Sequence, residues 1–301
     1  MSVEKMRVLI LGGTGMLGHK LWQMLAPRFD AYATVRASPA RYERAGPFDP
    51  SRSIAGVSAQ DFDSVARAFA VVRPGAVVNC VGVVKQDAAA KDPLASITTN
   101  ALFPHRLAQL ARACGARLVH LSTDCVFSGR EGNYNESSRP DAVDLYGRTK
   151  LLGEVAGENC LTIRTSMIGR ELAGAHGLLE WFLSQEGGSV RGFRRAVFSG
   201  FTTAALAGII AEVLSEHTEL SGVWHVAAEA INKFDLLSLV KEIYGLRVGV
   251  EPDDSFVCDR SLDGSRFREA TGLVAPAWPE MIERMREDPT PYEEIRRGNV
   301  S

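Results

Sequence analysis

The segment RVLILGGTGMLGHKLWQML, Arg7 to Leu25, decides how this chain folds. An apolar run ends at Leu11, glycines follow at 12, 13, 15 and 18, and an amphipathic pattern covers residues 16–26. Strand, glycine turn and helix in that order open a dinucleotide-binding βαβ unit. The loop reads G-x-x-G-x-x-G over Gly12, Gly15 and Gly18, and also G-x-G-x-x-G from Gly13. Such glycines permit the tight turn and let backbone amides approach a pyrophosphate at the helix start. Thr14, Met16 and Leu17 fill the rest of that candidate cofactor loop. A plain βα turn that binds nothing is the competing reading, and the strand–helix context favours binding.

Outward from this unit, apolar strand runs alternate with helical patterns. Strands are predicted at 31–35, 52–57, 76–82, 117–122 and 160–164, and helices at 61–72, 98–114 and 145–158. Near-continuous Val, Ile and Leu in the strands predicts burial on both faces, as in a parallel sheet. The fold class is therefore α/β, a Rossmann-type doubly wound parallel sheet, followed by a smaller C-terminal α/β substrate-binding region. We divide the chain into 1–165 for the cofactor domain, with 196–218 returning to it. Residues 166–195 and 219–290 form the substrate region, and 291–301 a loose polar tail. Further helices are predicted at 177–185, 203–214, 233–245 and 263–272, the last with Asp263 as N-cap and Gly272 as its stop, and a strand at 222–227.

The end of the second strand bears on the cofactor. An NAD site usually carries an acid there for the ribose hydroxyl. This chain has Arg36, with no acid until Glu43. A guanidinium suits a 2′-phosphate, so NADP(H) is favoured over NAD(H), with NADH as the secondary cofactor. Asp61 and Phe62, after the third strand, are candidates for the adenine. Cys80, Val81 and Gly82, at the end of "VVNCVG", are candidates for the nicotinamide channel, and Lys85 just beyond them for an acidic substrate.

Composition narrows the classes. The chain has 301 residues, 46% of them hydrophobic, and a net charge of −2. A sizeable core is available, and no basic surplus exists for nucleic acid or an anionic membrane surface. The five cysteines are scattered without a C-x-x-C, and the six histidines show no ligand-like pairing. The reading is a cytoplasmic protein without disulfides or a metal site. No apolar run reaches the ~18–20 residues a membrane span requires.

The densest stretch is LSTDCVFSGREGNYNESSRPDAVDLYGRTKLLGE, 121–154. Tyr146 and Lys150 stand i,i+4 on a predicted helix, about 5–6 Å apart at Cβ. Any surface helix can do that, so spacing alone is weak. The wider pattern is specific: Ser122-Thr123-Asp124-Cys125-Val126-Phe127, then Tyr134, Glu136 and Pro140, then Tyr146-Gly147, Lys150, Gly153 and Glu154. It resembles the extended short-chain dehydrogenase/reductase superfamily, and within it the dTDP-4-dehydrorhamnose reductase-like branch. The resemblance extends back to the glycine loop and forward to LTIRTS (161–166) and RSLDGSRF (260–267).

That resemblance implies an NAD(P)-dependent oxidoreductase with Thr123, Tyr146 and Lys150 as the catalytic set, Tyr146 and Lys150 also touching cofactor. Tyr146 would protonate a carbonyl oxygen, Thr123 would orient it, and Lys150 would lower the phenol pKa and hold the nicotinamide ribose. It implies a nucleoside-diphosphate 4-keto-6-deoxy sugar as substrate, reduced at the 4-keto group for cell-surface polysaccharide precursors. Asp124, Cys125, Arg191 and Arg194 are candidate substrate contacts. Trp181, Phe193 and Phe201 are read as core before base-stacking residues. Asn100 and Arg164 are read as structural.

Two departures bear on the substrate. Cys125 stands where the branch usually carries tyrosine, and GFRRAVFSGFTT (192–203) lacks a D-Q-x-G-x-P-T-like segment. The nucleoside, dTDP, UDP or GDP, stays open. Two other functions stay open as well. One is a non-catalytic nucleotide-binding regulatory subunit like that of methionine adenosyltransferase, since a Rossmann scaffold does not guarantee catalysis. The other is an NAD-retaining epimerase or dehydratase, against which Arg36 and Cys125 both argue. The sequence does not give the oligomeric state; a homodimer through a helix pair is the candidate assembly.

Overall fold

The computed structural model describes residues 5–36, 49–84 and 92–297. Lys85 and Glu43 lie outside them. Along the chain run β1 (Arg7–Leu11), α1 (Gly18–Leu25), β2 (Asp30–Val35), β3 (Ser53–Ala55), α2 (Phe62–Val72) and β4 (Ala76–Asn79). Then come α3 (Pro93–Ser96), a π-helical stretch (Ile97–Leu102), α4 (Phe103–Ala113), β5 (Arg117–Leu121), α5 (Leu145–Leu152) and β6 (Cys160–Arg164). The second half holds β7 (Met167–Ile168), α6 (Leu178–Leu183), β8 (Ser189–Phe193), β9 (Ala196–Phe198), β10 (Phe201–Thr202), α7 (Thr203–Glu216) and β11 (Gly222–His225). It closes with β12 (Ile231–Asn232), α8 (Lys233–Tyr244), β13 (Gly249–Asp253), β14 (Cys258–Asp259), α9 (Ser265–Thr271), α10 (Trp278–Arg286) and α11 (Tyr292–Arg297).

Seven strands form one parallel sheet in the order β11-β6-β5-β4-β1-β2-β3. The order reverses between β1 and β4, and ligands of such sheets bind beyond the carboxyl ends of the strands at that switch point. Here those ends are Gly12 and Cys80. Val8, Ile10 and Val78 face one layer with Leu21 and Leu206. Leu9, Leu11 and Val77 face the other with Val65 and Leu107. Burial on both faces is what the unbroken apolar runs predict. Helix α7 packs on α1. Its last carbonyls are capped by Arg117, which donates to Val213 O at 3.0 Å and His217 O at 2.9 Å.

Several sequence expectations are corrected. Strand 222–225, assigned to the substrate region, is the seventh strand of the main sheet. The first helix is regular only from Gly18, because the turn closes first through Gly15 N to Gly12 O at 3.0 Å. The helix read as 145–158 stops at Leu152, since a Cβ on Gly153 would meet Asn100 O at 1.9 Å and the chain turns away there. Gly264 caps α9, with Asp263 accepting from Ser265 N at 2.9 Å instead. The tail is not loose over 292–297: α11 is a helix, with Tyr292 and Ile295 buried. A local polarity count misses this because two buried residues in six suffice to dock a helix whose other side is charged. The parallel pair β8–β13 was not foreseen at all.

Candidate active site

The glycine loop is tightly enclosed. Gly12 has φ +82° and donates its N–H to Thr34 Oγ1 at 3.1 Å. A Cβ on Gly18 would lie 2.1 Å from Gly12 O, so only glycine lets the helix start fold over the turn. A Cβ on Gly12 would sit 3.3 Å from Val81 Cγ2, which puts the loop directly against the end of β4. Thr14, Gly15 and Met16 keep surface toward solvent, whereas Leu17 and Gly18 are buried. The cradle therefore fits a pyrophosphate: its wall is backbone and its open side is Thr14 to Met16, just before α1. Arg36 is exposed just beyond β2.

Asp61 has a structural job. Its carboxylate caps α2 by accepting from Ser64 N at 3.3 Å, and it pairs with Arg67 at 3.3 Å. Phe62 packs edge-on to Phe103 beneath the Arg106 guanidinium.

The segment after β4 is held from behind. Asn100, fully buried in the π-helical stretch, accepts from Val83 N at 2.9 Å and donates to Val83 O at 2.9 Å. Pro104 explains the widened turn, since it has no N–H for the Asn100 carbonyl. The structural reading of Asn100 holds, with a purpose: it pins the backbone of 80–83 beside the glycine loop.

Thr123, Tyr146 and Lys150 come together across the end of β5. Asp144 caps α5, accepting from Gly147 N at 2.8 Å. A Cβ on Gly147 would meet Cys125 O at 2.2 Å, so α5 lies backbone to backbone against the residue after Asp124. That contact sets Tyr146 beside Thr123, whose hydroxyl bonds the phenol. Thr123 also donates to Asp124 Oδ1 at 3.0 Å and accepts from Cys125 N at 3.1 Å. Lys150 is buried and donates to Leu121 O at 2.6 Å.

The electrostatics depart from expectation. Burial pushes the Tyr146 phenol above its ordinary value, and the Thr123 hydroxyl opposes that. The ammonium is turned to the Leu121 carbonyl. Burial brings Lys150 itself down to about 8, against the supporting charge of Glu154. Burial raises Cys80 and Cys125 to about 12, so both stay thiols, and raises Asp124 as well.

Sequence reading missed His120. It is fully buried on β5, and its Nδ1 accepts from Asn79 Nδ2 at 3.0 Å, because Asn79 Oδ1 is taken by Val81 N at 3.1 Å. Its Nε2 has no hydrogen-bond partner. Burial, then Lys150, holds this ring neutral. The signal was a polar residue set among apolar ones in each of two strands, Asn79 in β4 and His120 in β5.

Other candidates fall outside this cluster. Arg191 pairs with Asp253 at 3.1 Å, and Arg194 with Asp254, both on the exposed side of β8–β13. Each of these two diphosphate candidates thus already has an acidic partner on the surface. Phe201 is core, Phe193 packs on Phe256, and Trp181 is part-exposed on α6.

Tyr134 and Glu136 serve the scaffold. Tyr134 stacks on Phe127, ring centroids 4.2 Å apart, and its carbonyl accepts from His225 Nδ1 at 2.9 Å. Glu136 accepts from His225 N at 3.0 Å. Arg164, read as an anchor, is one. It grips Glu154 with two bonds of 2.8 and 2.7 Å, and Glu154 also accepts from Ser122 Oγ at 2.7 Å.

Three likenesses to known proteins, and one family model, bear on this site. dTDP-4-dehydrorhamnose reductase of Streptomyces griseus is 35% identical over 151 residues, 50% of this chain and 44% of that protein. Methionine adenosyltransferase 2 subunit beta of Rattus norvegicus is 30% identical over 155 residues, 52% of this chain and 43% of that protein. This chain thus matches less than half the length of either relative. In fold, it is similar to the crystal structure of dTDP-4-dehydrorhamnose reductase from Bacillus anthracis in complex with NADP. The TM-score is 0.76, at 23% identity over 93% of this chain and 98% of that one. The family model for the RmlD substrate binding domain matches residues 6–288. With the glycine cradle at the switch point and the Thr–Tyr–Lys cluster beside it, the chain belongs to the RmlD substrate binding domain family.

Proposed function

We propose that this chain is a cytoplasmic NADPH-dependent reductase acting on the 4-keto group of a nucleoside-diphosphate 4-keto-6-deoxy sugar. The observation that carries the reading is the Thr123–Tyr146–Lys150 cluster on the edge of a pyrophosphate-shaped glycine cradle. NADPH, when bound, supplies the hydride. The chain supplies position and a proton. Amides of the loop at 12–18 hold the pyrophosphate, and Arg36 meets the 2′-phosphate. The backbone of Cys80, Val81 and Gly82, pinned through Asn100, lines the nicotinamide side. Lys150 holds ribose hydroxyls, and Thr123 orients the sugar oxygen beside Asp124. Asp61 and Phe62 edge the adenine end.

Tyr146 gives its O–H proton to the sugar oxygen and is reprotonated from water. Its raised pKa suits that direction, because the phenol is fully protonated at neutral pH. Alcohol oxidation would need the phenolate, which burial disfavours.

The deciding experiment measures NADPH and NADH oxidation against dTDP-, UDP- and GDP-linked 4-keto-6-deoxy sugars from pH 6 to about pH 10. One donor should be reduced selectively, with NADPH preferred. The rate should fall as pH rises through about 8, where Lys150 loses its charge. Binding of NADPH with no oxidation of any sugar would favour the regulatory-subunit reading. A cofactor that copurifies and is never consumed would favour an epimerase.

We also propose that the chain pairs with a second copy over Leu94, Ile97, Leu102 and Leu152, exposed on the neighbouring helical elements 93–113 and 145–152. Sedimentation equilibrium should give a dimer that Leu94→Glu, Leu152→Glu dissociates; a monomeric wild type would refute it.

A further inference from the structure

The carboxy-terminal segment reaches the cofactor loop by two routes. The first runs through His19, on the first turn of α1 and wholly buried. Its Nδ1 lies 2.8 Å from Gly15 O and its Nε2 3.0 Å from the Tyr292 hydroxyl. A carbonyl only accepts, so Nδ1 carries the proton and the neutral ring turns its Nε2 lone pair to the Tyr292 hydroxyl. Burial brings this histidine to about 4, which keeps it neutral. Tyr292 has one proton and two acceptors, His19 and Asp288 Oδ2, the latter at 2.6 Å. Asp288 is paired with Lys20, and Lys20 and Gln23 both donate to Thr290 Oγ1, at 3.0 and 2.9 Å.

The second route runs through Arg296. It donates to Glu171 O at 2.6 Å. The Glu171 carboxylate accepts from Gly177 N at 2.8 Å, and a Cβ on Gly177 would sit 2.9 Å from Met16 Cε. The two chains of contact thus end on Gly15 and Met16, the open residues of the loop. The tail residues that make them, Tyr292 and Arg296, lie beyond the 6–288 covered by the family model.

We propose that residues 288–297 are a positioning element of the dinucleotide site, with Tyr292 through His19, and Arg296 through Glu171, fixing the loop at Gly15 and Met16. The inference rests on the cofactor reading above and holds whether or not the chain is a catalyst. Binding linkage is reciprocal: if the tail orders the loop for cofactor, cofactor must order the tail.

Amide hydrogen exchange on the intact protein tests this with and without NADPH. Expected is slower exchange at residues 13–19 and also at 292–297. Protection of the loop alone overturns the proposal and leaves the cofactor reading standing. Protection of neither overturns both.

Tyr292→Phe keeps the ring and removes the hydroxyl that lies between His19 and Asp288. NADPH affinity, read by nucleotide fluorescence, should weaken about 5–10-fold, as for loss of one buried hydrogen bond. Exchange at 13–19 should rise in the absence of NADPH. Unchanged affinity and loop exchange, with faster exchange only within 292–297, would reduce Tyr292 to an anchor of its own helix.

Discussion

Tyr146→Phe lowers kcat for sugar reduction by about 10²–10⁴-fold, the range for loss of a positioned general acid. In the site we propose, the loop and Arg36 carry most of the cofactor contact, so NADPH affinity should change little. The split between kcat and cofactor binding follows from the geometry. Phenylalanine keeps the ring against Thr123 and Cys125 and leaves the Asp144 cap and the Gly147 contact in place. Only the proton is lost. Stopped-flow NADPH oxidation with saturating sugar, beside a fluorescence titration of NADPH, separates the two effects. A kcat within about threefold of wild type would show that another group, Thr123 or water, delivers the proton.

Glu154→Gln destabilises the fold by about 3–5 kcal/mol, the cost of stranding one member of a buried ion pair. Both side chains are 7% exposed, so water cannot take over for the lost charge. Glu154 has three bonds from two partners, Ser122 Oγ and the Arg164 guanidinium. Arg164 in turn meets His225 Nε2 at 3.2 Å and lies over the Phe127 ring at 5.3 Å. His225 Nδ1 donates to Tyr134 O, so the ring is neutral and Nε2 accepts from Arg164. One ion pair thus ties β5, β6, β11 and the 127–136 loop together behind the catalytic residues.

Urea unfolding of Glu154→Gln, Arg164→Met and the double Glu154→Leu, Arg164→Met checks this. The double variant should lose less than either single one, because it leaves no unpaired charge. A single-variant loss below about 1 kcal/mol would mean the pair behaves as a surface one. Glu154→Gln should also shift the alkaline limb of the rate below about pH 8, since Glu154 is the largest charge supporting the Lys150 ammonium.

What could be read from sequence was local. The strand and glycine turn at 7–18 are legible because backbone geometry at Gly12 and Gly18 is decided within the turn itself. Parallel burial of β1, β4, β5 and β6 is legible because two-sided burial leaves unbroken apolar runs. Tyr146 and Lys150 are legible as one face of a helix, and their chemistry as a resemblance, since four-residue spacing is a property of the helix alone.

Tertiary structure decided the rest. It turned Lys150 toward the Leu121 carbonyl and raised the Tyr146 phenol instead of lowering it. Desolvation depends on every element packed around the group, and no spacing rule encodes that. It gave Arg191 and Arg194 acidic partners across the β8–β13 pair, about sixty residues away in sequence. It set neutral His120 behind Lys150, and it docked the polar tail on His19, across 273 residues of chain. The sequence by itself determined the glycine turn and which apolar runs become buried parallel strands, where contacts are short-range or repeat with a fixed period. Which charges are buried, which are paired and what holds the loop from behind rest on contacts between distant segments, and those exist only in the folded chain.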